Sequence, residues 1–171
     1  MIPEKRYLLL SGIPATGKTT FGAWLEQQRG FLHLDVEEDG LEKANVRIEW
    51  DELCKRLCAD RLMLSLNKVN RPLVLDWGFP VSALPIVRKL KAAGFEAWWF
   101  DGDIKRARER FVGRGMKKGS VLNFDQQIIN IQANWSSLHE VFYPRIVTTL
   151  QPDNSAPCCE EIAKRMDIQS S

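Results

Sequence analysis

Residues Gly12-Ile13-Pro14-Ala15-Thr16-Gly17-Lys18-Thr19 match G-x-x-x-x-G-K-[ST] at every fixed position, and Thr20 follows. This run constrains the fold more than any other feature of the chain. Gly12 and Gly17 permit backbone angles that side chains forbid, so successive N–H groups can turn inward around a phosphate. Such a loop must leave a strand and open a helix, whose free N–H groups and dipole favour an anion. The flanks comply. Tyr7 to Ser11 is an apolar run of strand length, and from Lys18 the residues Phe21, Trp24 and Leu25 recur at helical spacing until Gly30 stops them. The motif predicts a triphosphate site cradled by residues 12–20, with Lys18 reaching the β- and γ-phosphates and Thr19 a ligand of Mg²⁺.

The rest of the chain predicts an α/β fold. Apolar strand-length runs (Phe31–Asp35, Leu73–Asp76, Phe95–Phe100, Arg145–Leu150) alternate with helix-length segments, the pattern of a parallel sheet. Helices are expected from Asp51 to about Leu66, Ser82 to Ala93, Ile104 to Val112, Asn123 to about Leu138 and Pro157 to Met166. Residues 36–50, polar and acidic, read as a loop in which Glu37, Glu38 and Asp39 are solvated charges. The chain of 171 residues carries no repeat or linker, so 1–171 reads as a single domain with a tail at 167–171.

Charge excludes little, since 24 Lys and Arg nearly balance 22 Asp and Glu. The four cysteines (54, 58, 158, 159) match neither a zinc knuckle nor a secreted disulfide framework. No signal-peptide pattern and no membrane-length apolar run occurs, so a cytoplasmic protein with reduced thiols is expected. Asn67-Lys68-Val69-Asn70 ends in Asn where a guanine reader needs Asp, and it precedes the third strand. The third strand ends Leu75-Asp76-Trp77 without the adjacent glutamate of a motor ATPase. A small phosphotransferase remains.

In order, Gly12–Thr20, Asp35 ending the second strand, Asp76 ending the third and Arg110-Phe-Val-Gly-Arg114 after the fourth resemble the compact P-loop kinases of the zeta-toxin (AAA_33) branch. That branch includes chloramphenicol phosphotransferase, the polynucleotide 5′-kinase domain and gluconate kinase. The resemblance implies a three-layer P-loop NTPase fold, with a five-stranded parallel sheet in the order 2-3-1-4-5 and a mobile lid at about 106–120. It also implies ATP and Mg²⁺ as cofactors and a small-molecule hydroxyl as acceptor. Asp35 would then accept the proton of the attacking hydroxyl, and Asp76 would anchor Mg²⁺ with Thr19.

Between Arg88 and Lys118 ten basic residues face four acidic ones, and glycines 113, 115 and 119 break the run, as suits a lid. Arg110 and Arg114, one helical turn apart, correspond to the family's lid arginines and would clamp the phosphoryl group, with Arg106 a weaker candidate. Asp101 and Asp103 read as caps of the basic helix, and residues 151–154 occupy the place where relatives contact adenine. Trp24, Trp98 and Trp99 read as core, as do Trp50 and Trp77, which flank the acceptor side; His33 reads as structural. Two other readings stay open. One is a nucleotide-binding regulatory or partner-binding module with little turnover. The other is a polynucleotide 5′-hydroxyl kinase, against which the acidic 35–42 stretch would repel a phosphate backbone.

Overall fold

The strand β1 (Tyr7–Gly12) is apolar on both faces because it lies at the centre of a parallel sheet covered by helices on both sides. Leu8 and Leu10 point to one layer and Leu9 to the other, and all three are fully buried. The computed structural model describes residues 5–115 and 118–168. The middle of the expected lid (116–117) and the last residues of the expected tail (169–171) lie outside them.

The sheet has five strands: β1, β2 (Leu32–Asp35), β3 (Leu73–Asp76), β4 (Glu96–Gly102) and β5 (Ile146–Leu150). Their order is β2-β3-β1-β4-β5, every pair is parallel, and the order is the one that the resemblance implied. Helices α1 (Lys18–Arg29) and α8 (Cys159–Arg165) cover one face, where Phe21, Leu25 and Ile162 pack on Leu8, Leu10, Val74 and Phe100. The other face packs against α2 (Arg47–Arg56), α3 (Asp60–Leu66), α4 (Leu84–Ala92), α6 (Lys118–Ala133) and α7 (Trp135–Phe142). Helix α5 (Ile104–Gly113) follows β4, and Asp103 caps it by accepting from the Arg106 N–H at 2.9 Å. Asp101 belongs to β4 instead.

Two expected helices prove to be pairs. The Asp51–Leu66 segment divides at Leu57, which takes φ +53° and ends α2, so Leu57 and Leu64 lie exposed while Leu53 is buried. The helix starts at Arg47, earlier than expected, because Val46 and Trp50 bury against the core and draw the end of the acidic loop into helix. The remainder of that loop winds into a 3₁₀ turn over Asp39–Ala44. The Asn123–Leu138 segment likewise divides into α6 and α7 about Asn134. Trp24 packs against the core, Trp50, Trp77, Trp98 and Trp99 are buried, and Trp50 meets Trp77 edge-on at 4.9 Å. All four cysteines are free, and among the described residues no helix is long and apolar enough to cross a membrane.

Gly12 marks where β1 must leave β4. A Cβ built on it would lie 2.1 Å from the Phe100 carbonyl oxygen, and its φ of +142° strains any L side chain. Neither strand can retreat without breaking the Ile13 N–H bond to that same oxygen, 3.1 Å long. Gly12→Ala should therefore cost about 3 kcal/mol or more, lowering Tm by roughly 6–12 °C for a chain of this size. Thermal melting by circular dichroism checks this; an unchanged Tm would refute the packing account.

Candidate active site

The loop after β1 is held in one shape from behind. Thr16 Oγ1 donates to the Ile13 carbonyl at 2.6 Å, and Thr149 Oγ1, from β5, donates to the Thr16 carbonyl at 2.7 Å. Ala15 has φ +62° and Gly17 φ +93°, left-handed angles that turn consecutive N–H groups to one side. No atom lies within 4 Å of a Cβ built on Gly17, so glycine serves there for its angle and not for space. Helix α1 begins at the next residue with no acid in its first turn, so the positive end of its dipole is left unneutralised.

Lys18 is buried, with Nζ 3.0 Å from the Ile13 oxygen and 3.4 Å from the Gly12 oxygen. Burial pushes its pKa down against the pull of Asp76 and Glu37, while nearby Arg114 adds to the depression. The fold holds a desolvated cation there with no carboxylate in ion-pair contact among the described residues, an arrangement that a bound phosphate would complete.

An open cleft of about 310 Å³ lies in front of the loop. Lys18 and Thr19 border it from α1, Asp76 from the end of β3, Glu37 from beyond β2, Arg114 from the end of α5, and Asn123 and Gln127 from α6. This is the carboxyl rim of the sheet, where open α/β folds place ligands. Asp35 and Asp76 are register partners on β2 and β3, so the rim carries two adjacent carboxylates. Asp76 is buried, and its Oδ2 has no hydrogen-bond partner among the described residues. Behind it stands His33, buried, with Nε2 3.6 Å from that oxygen. The histidine read as structural thus backs the rim acid.

Asp35 does not border the cleft. Its Oδ1 accepts the Glu37 N–H at 3.0 Å, and this turn carries the Glu37 side chain to the cleft wall. Desolvation pushes the Glu37 pKa up, Asp35 and Asp76 push it further, and Lys18 opposes them. Glu37 is exposed, as expected of a solvated loop charge, and it borders the cleft nonetheless, which the expectation of Asp35 as the rim's proton acceptor did not include. The position of Glu37 two residues past a strand-end acid was the available signal. Nothing in the spacing pointed to the α6 amides.

The two arginines expected to act together, Arg110 and Arg114, part company. Arg114 borders the cleft beside Lys18. Arg110 turns to the loop after β5, where Nε donates to Asn154 Oδ1 and Nη2 to the Asn154 carbonyl, both at 3.1 Å. Arg106 Nε donates to the Pro152 carbonyl of the same loop at 2.7 Å. One helix face thus grips residues 152–154 while its end meets the cleft.

No protein-family model matches the sequence, and no curated protein matches it at a significant level. Similarity appears in three dimensions. The tunicamycin resistance protein of Deinococcus radiodurans superposes with a TM-score of 0.60 at 15% identity, over 98% of this chain and 99% of that one. Shikimate kinase from Acinetobacter baumannii, in complex with shikimate, gives a TM-score of 0.57 at 16% identity over 95% and 91%. A gluconokinase from Sinorhizobium meliloti gives 0.51 at 13% identity over 93% and 87%. At these identities the likeness establishes the fold alone, one that this chain shares with the shikimate kinase, the gluconokinase and the tunicamycin resistance protein.

Proposed function

We propose that this protein, with Mg²⁺ as cofactor, transfers the γ-phosphoryl group of ATP to a hydroxyl of a small molecule. The observation that carries the reading is the meeting, at one cleft, of the loop after β1 with Lys18 and Arg114 and of the rim carboxylates Asp76 and Glu37. A module built only to bind nucleotide has no use for a second carboxylate, that of Glu37, at the same cleft.

In this reading the N–H groups of residues 12–20 and the Lys18 ammonium hold the β- and γ-phosphates, and Arg114 meets charge on the transferring group. The Thr19 hydroxyl and the Asp76 carboxylate fit Mg²⁺. Both are hard oxygen donors at the cleft, and Asp76 Oδ2 has no hydrogen bond to give up among the described residues. No group of three His, Cys, Asp or Glu among the described residues could hold a metal by itself, which suits an ion that arrives with phosphate oxygens. Bound there, Mg²⁺ would neutralise charge on the β- and γ-oxygens. The acceptor oxygen forms its bond to the γ-phosphorus as the bond to the ADP oxygen breaks, and the hydroxyl proton passes to a carboxylate. Glu37 meets the cleft and so takes that proton in this reading, while Asp35 sets the turn that aims it.

The test is ADP formation from MgATP with and without a panel of hydroxyl compounds, including nucleosides, sugars, antibiotics and 5′-hydroxyl oligonucleotides. Release that rises with one small-molecule acceptor and yields its phosphate ester supports the reading. Nucleotide binding with no stimulation by any acceptor would favour the regulatory module, and stimulation by oligonucleotides alone the polynucleotide kinase.

The arginines supply a second check. Arg114→Ala should lower kcat by about a hundredfold with little change in KM for ATP, since its charge matters most during transfer. Arg110→Ala should instead raise KM for ATP several-fold by freeing Asn154, with kcat kept within about threefold. Steady-state kinetics separates them, and matching effects would refute the division of roles.

A further inference from the structure

Beyond Gly78 the cleft continues into a second recess of about 120 Å³, which shares Gly78 and Gln127 with the phosphate cleft. A dry cavity of roughly 150 Å³ is known to take a benzene ring, so this recess has the scale of one small ring. Its walls are of two kinds. Phe79, Val81 and Ile131 supply apolar surface, and Phe79 is braced between Trp77 at 5.4 Å and Phe142 at 6.1 Å. Gln127 and Asn130, one turn apart on α6, supply carboxamides. Asn130 Oδ1 already accepts from Gln126 Nε2 at 3.2 Å, which leaves its amide nitrogen to meet a ligand.

Among the described residues, the charged side chain nearest Gly78 is negative. A Cβ built on Gly78 would lie 2.9 Å from Glu37 Oε1, so this carboxylate stands over the passage between the two spaces. No lysine or arginine lines the recess among the described residues, and the cations of the main cleft, Lys18 and Arg114, belong to the phosphate side. A carboxylate entering the recess would lose water, meet no lysine or arginine among the described lining residues and approach Glu37. A neutral ring would lay its face on the Phe79 wall and its hydroxyls on the amides, with one hydroxyl near Glu37.

From this we infer that the acceptor is an uncharged, hydroxyl-bearing ring and not a sugar acid or other anion. The inference rests on the phosphotransfer reading and narrows it. It sets the chain apart from the shikimate kinase found with shikimate, an anion at neutral pH, despite the common fold.

Matched probes that differ only in charge test it: shikimate against methyl shikimate, and glucuronate against glucuronamide. Calorimetry on the protein saturated with MgADP should show each neutral member binding roughly tenfold or more tightly than its acid. Asn130→Arg, at an exposed helix position, should erase that preference by adding a cation to the wall. Equal or tighter binding of the acids, no binding of any probe at millimolar concentration, or an unchanged preference in Asn130→Arg would each overturn the inference. The phosphotransfer reading has its own control in the same samples. If MgADP and MgATP produce no heat, that reading fails; if they bind and the charge preference is absent, only the acceptor inference fails.

Discussion

Lys18→Ala should melt at or slightly above the wild-type temperature while kcat/KM falls about a thousandfold. The two halves have one cause. In the free protein the ammonium is buried among loop carbonyls, and burial depresses its pKa, so its charge costs the empty fold stability. Removing it relieves that cost and opens space only at the cleft wall. With MgATP bound, the same charge has a triphosphate beside it in a site shielded from water, where its loss weakens transition-state contacts most. Ligand at about a hundred times Kd stabilises a protein by about 2.7 kcal/mol, or roughly 5–10 °C at this size. The wild type should show that rise with MgATP, and the variant little of it. Equal thermal shifts would remove Lys18 from the phosphate site.

Glu37→Gln should leave ATP binding intact and lower phosphoryl transfer by roughly a hundredfold or more, since glutamine keeps the shape but cannot take the proton. Asp35→Asn should cost less, within about tenfold, because asparagine Oδ1 can still accept the Glu37 N–H that sets the turn. The pH profile separates the two acids. A proton acceptor must be ionised, and desolvation with two neighbouring acids raises the Glu37 pKa above its ordinary 4.5. The wild-type rate should therefore fall as pH drops through that raised value and level off above it, and bound phosphates should move this limb higher still. Glu37→Gln should lose the limb and Asp35→Asn should keep it. If Asp35→Asn is the more damaged and the limb disappears with it, the strand-end aspartate is the base after all.

The phosphate loop was legible in sequence because its function is a backbone property. Gly12 and Gly17 are required by angles and contacts within a few residues, and the flanking strand and helix follow from apolar spacing. The parallel sheet was legible for a related reason: strands covered on both faces are apolar throughout, as in Leu8 to Leu10 and Leu73 to Leu75. Breaks in helices were not legible. Leu57 takes a left-handed angle that its side chain disfavours, and only the packing of α2 and α3 onto the core explains why it does so.

The assignment of individual charges was decided in three dimensions. Arg110 and Arg114 are equivalent by spacing, yet one reaches Asn154, 44 residues along the chain, and the other the phosphate cleft. Asp35 ends β2 and Glu37 lies two residues on; Asp35 Oδ1 accepts the Glu37 N–H, and it is Glu37 that borders the cleft. Sequence alone determined that this chain folds a glycine-bounded turn onto a parallel sheet, because backbone angles and hydrophobic burial act locally and repeat with a period. Which acid borders the cleft, and in which direction its pKa moves, depends on burial and on Lys18, Asp35 and Asp76 brought together from α1, β2 and β3, so only the tertiary structure could decide it.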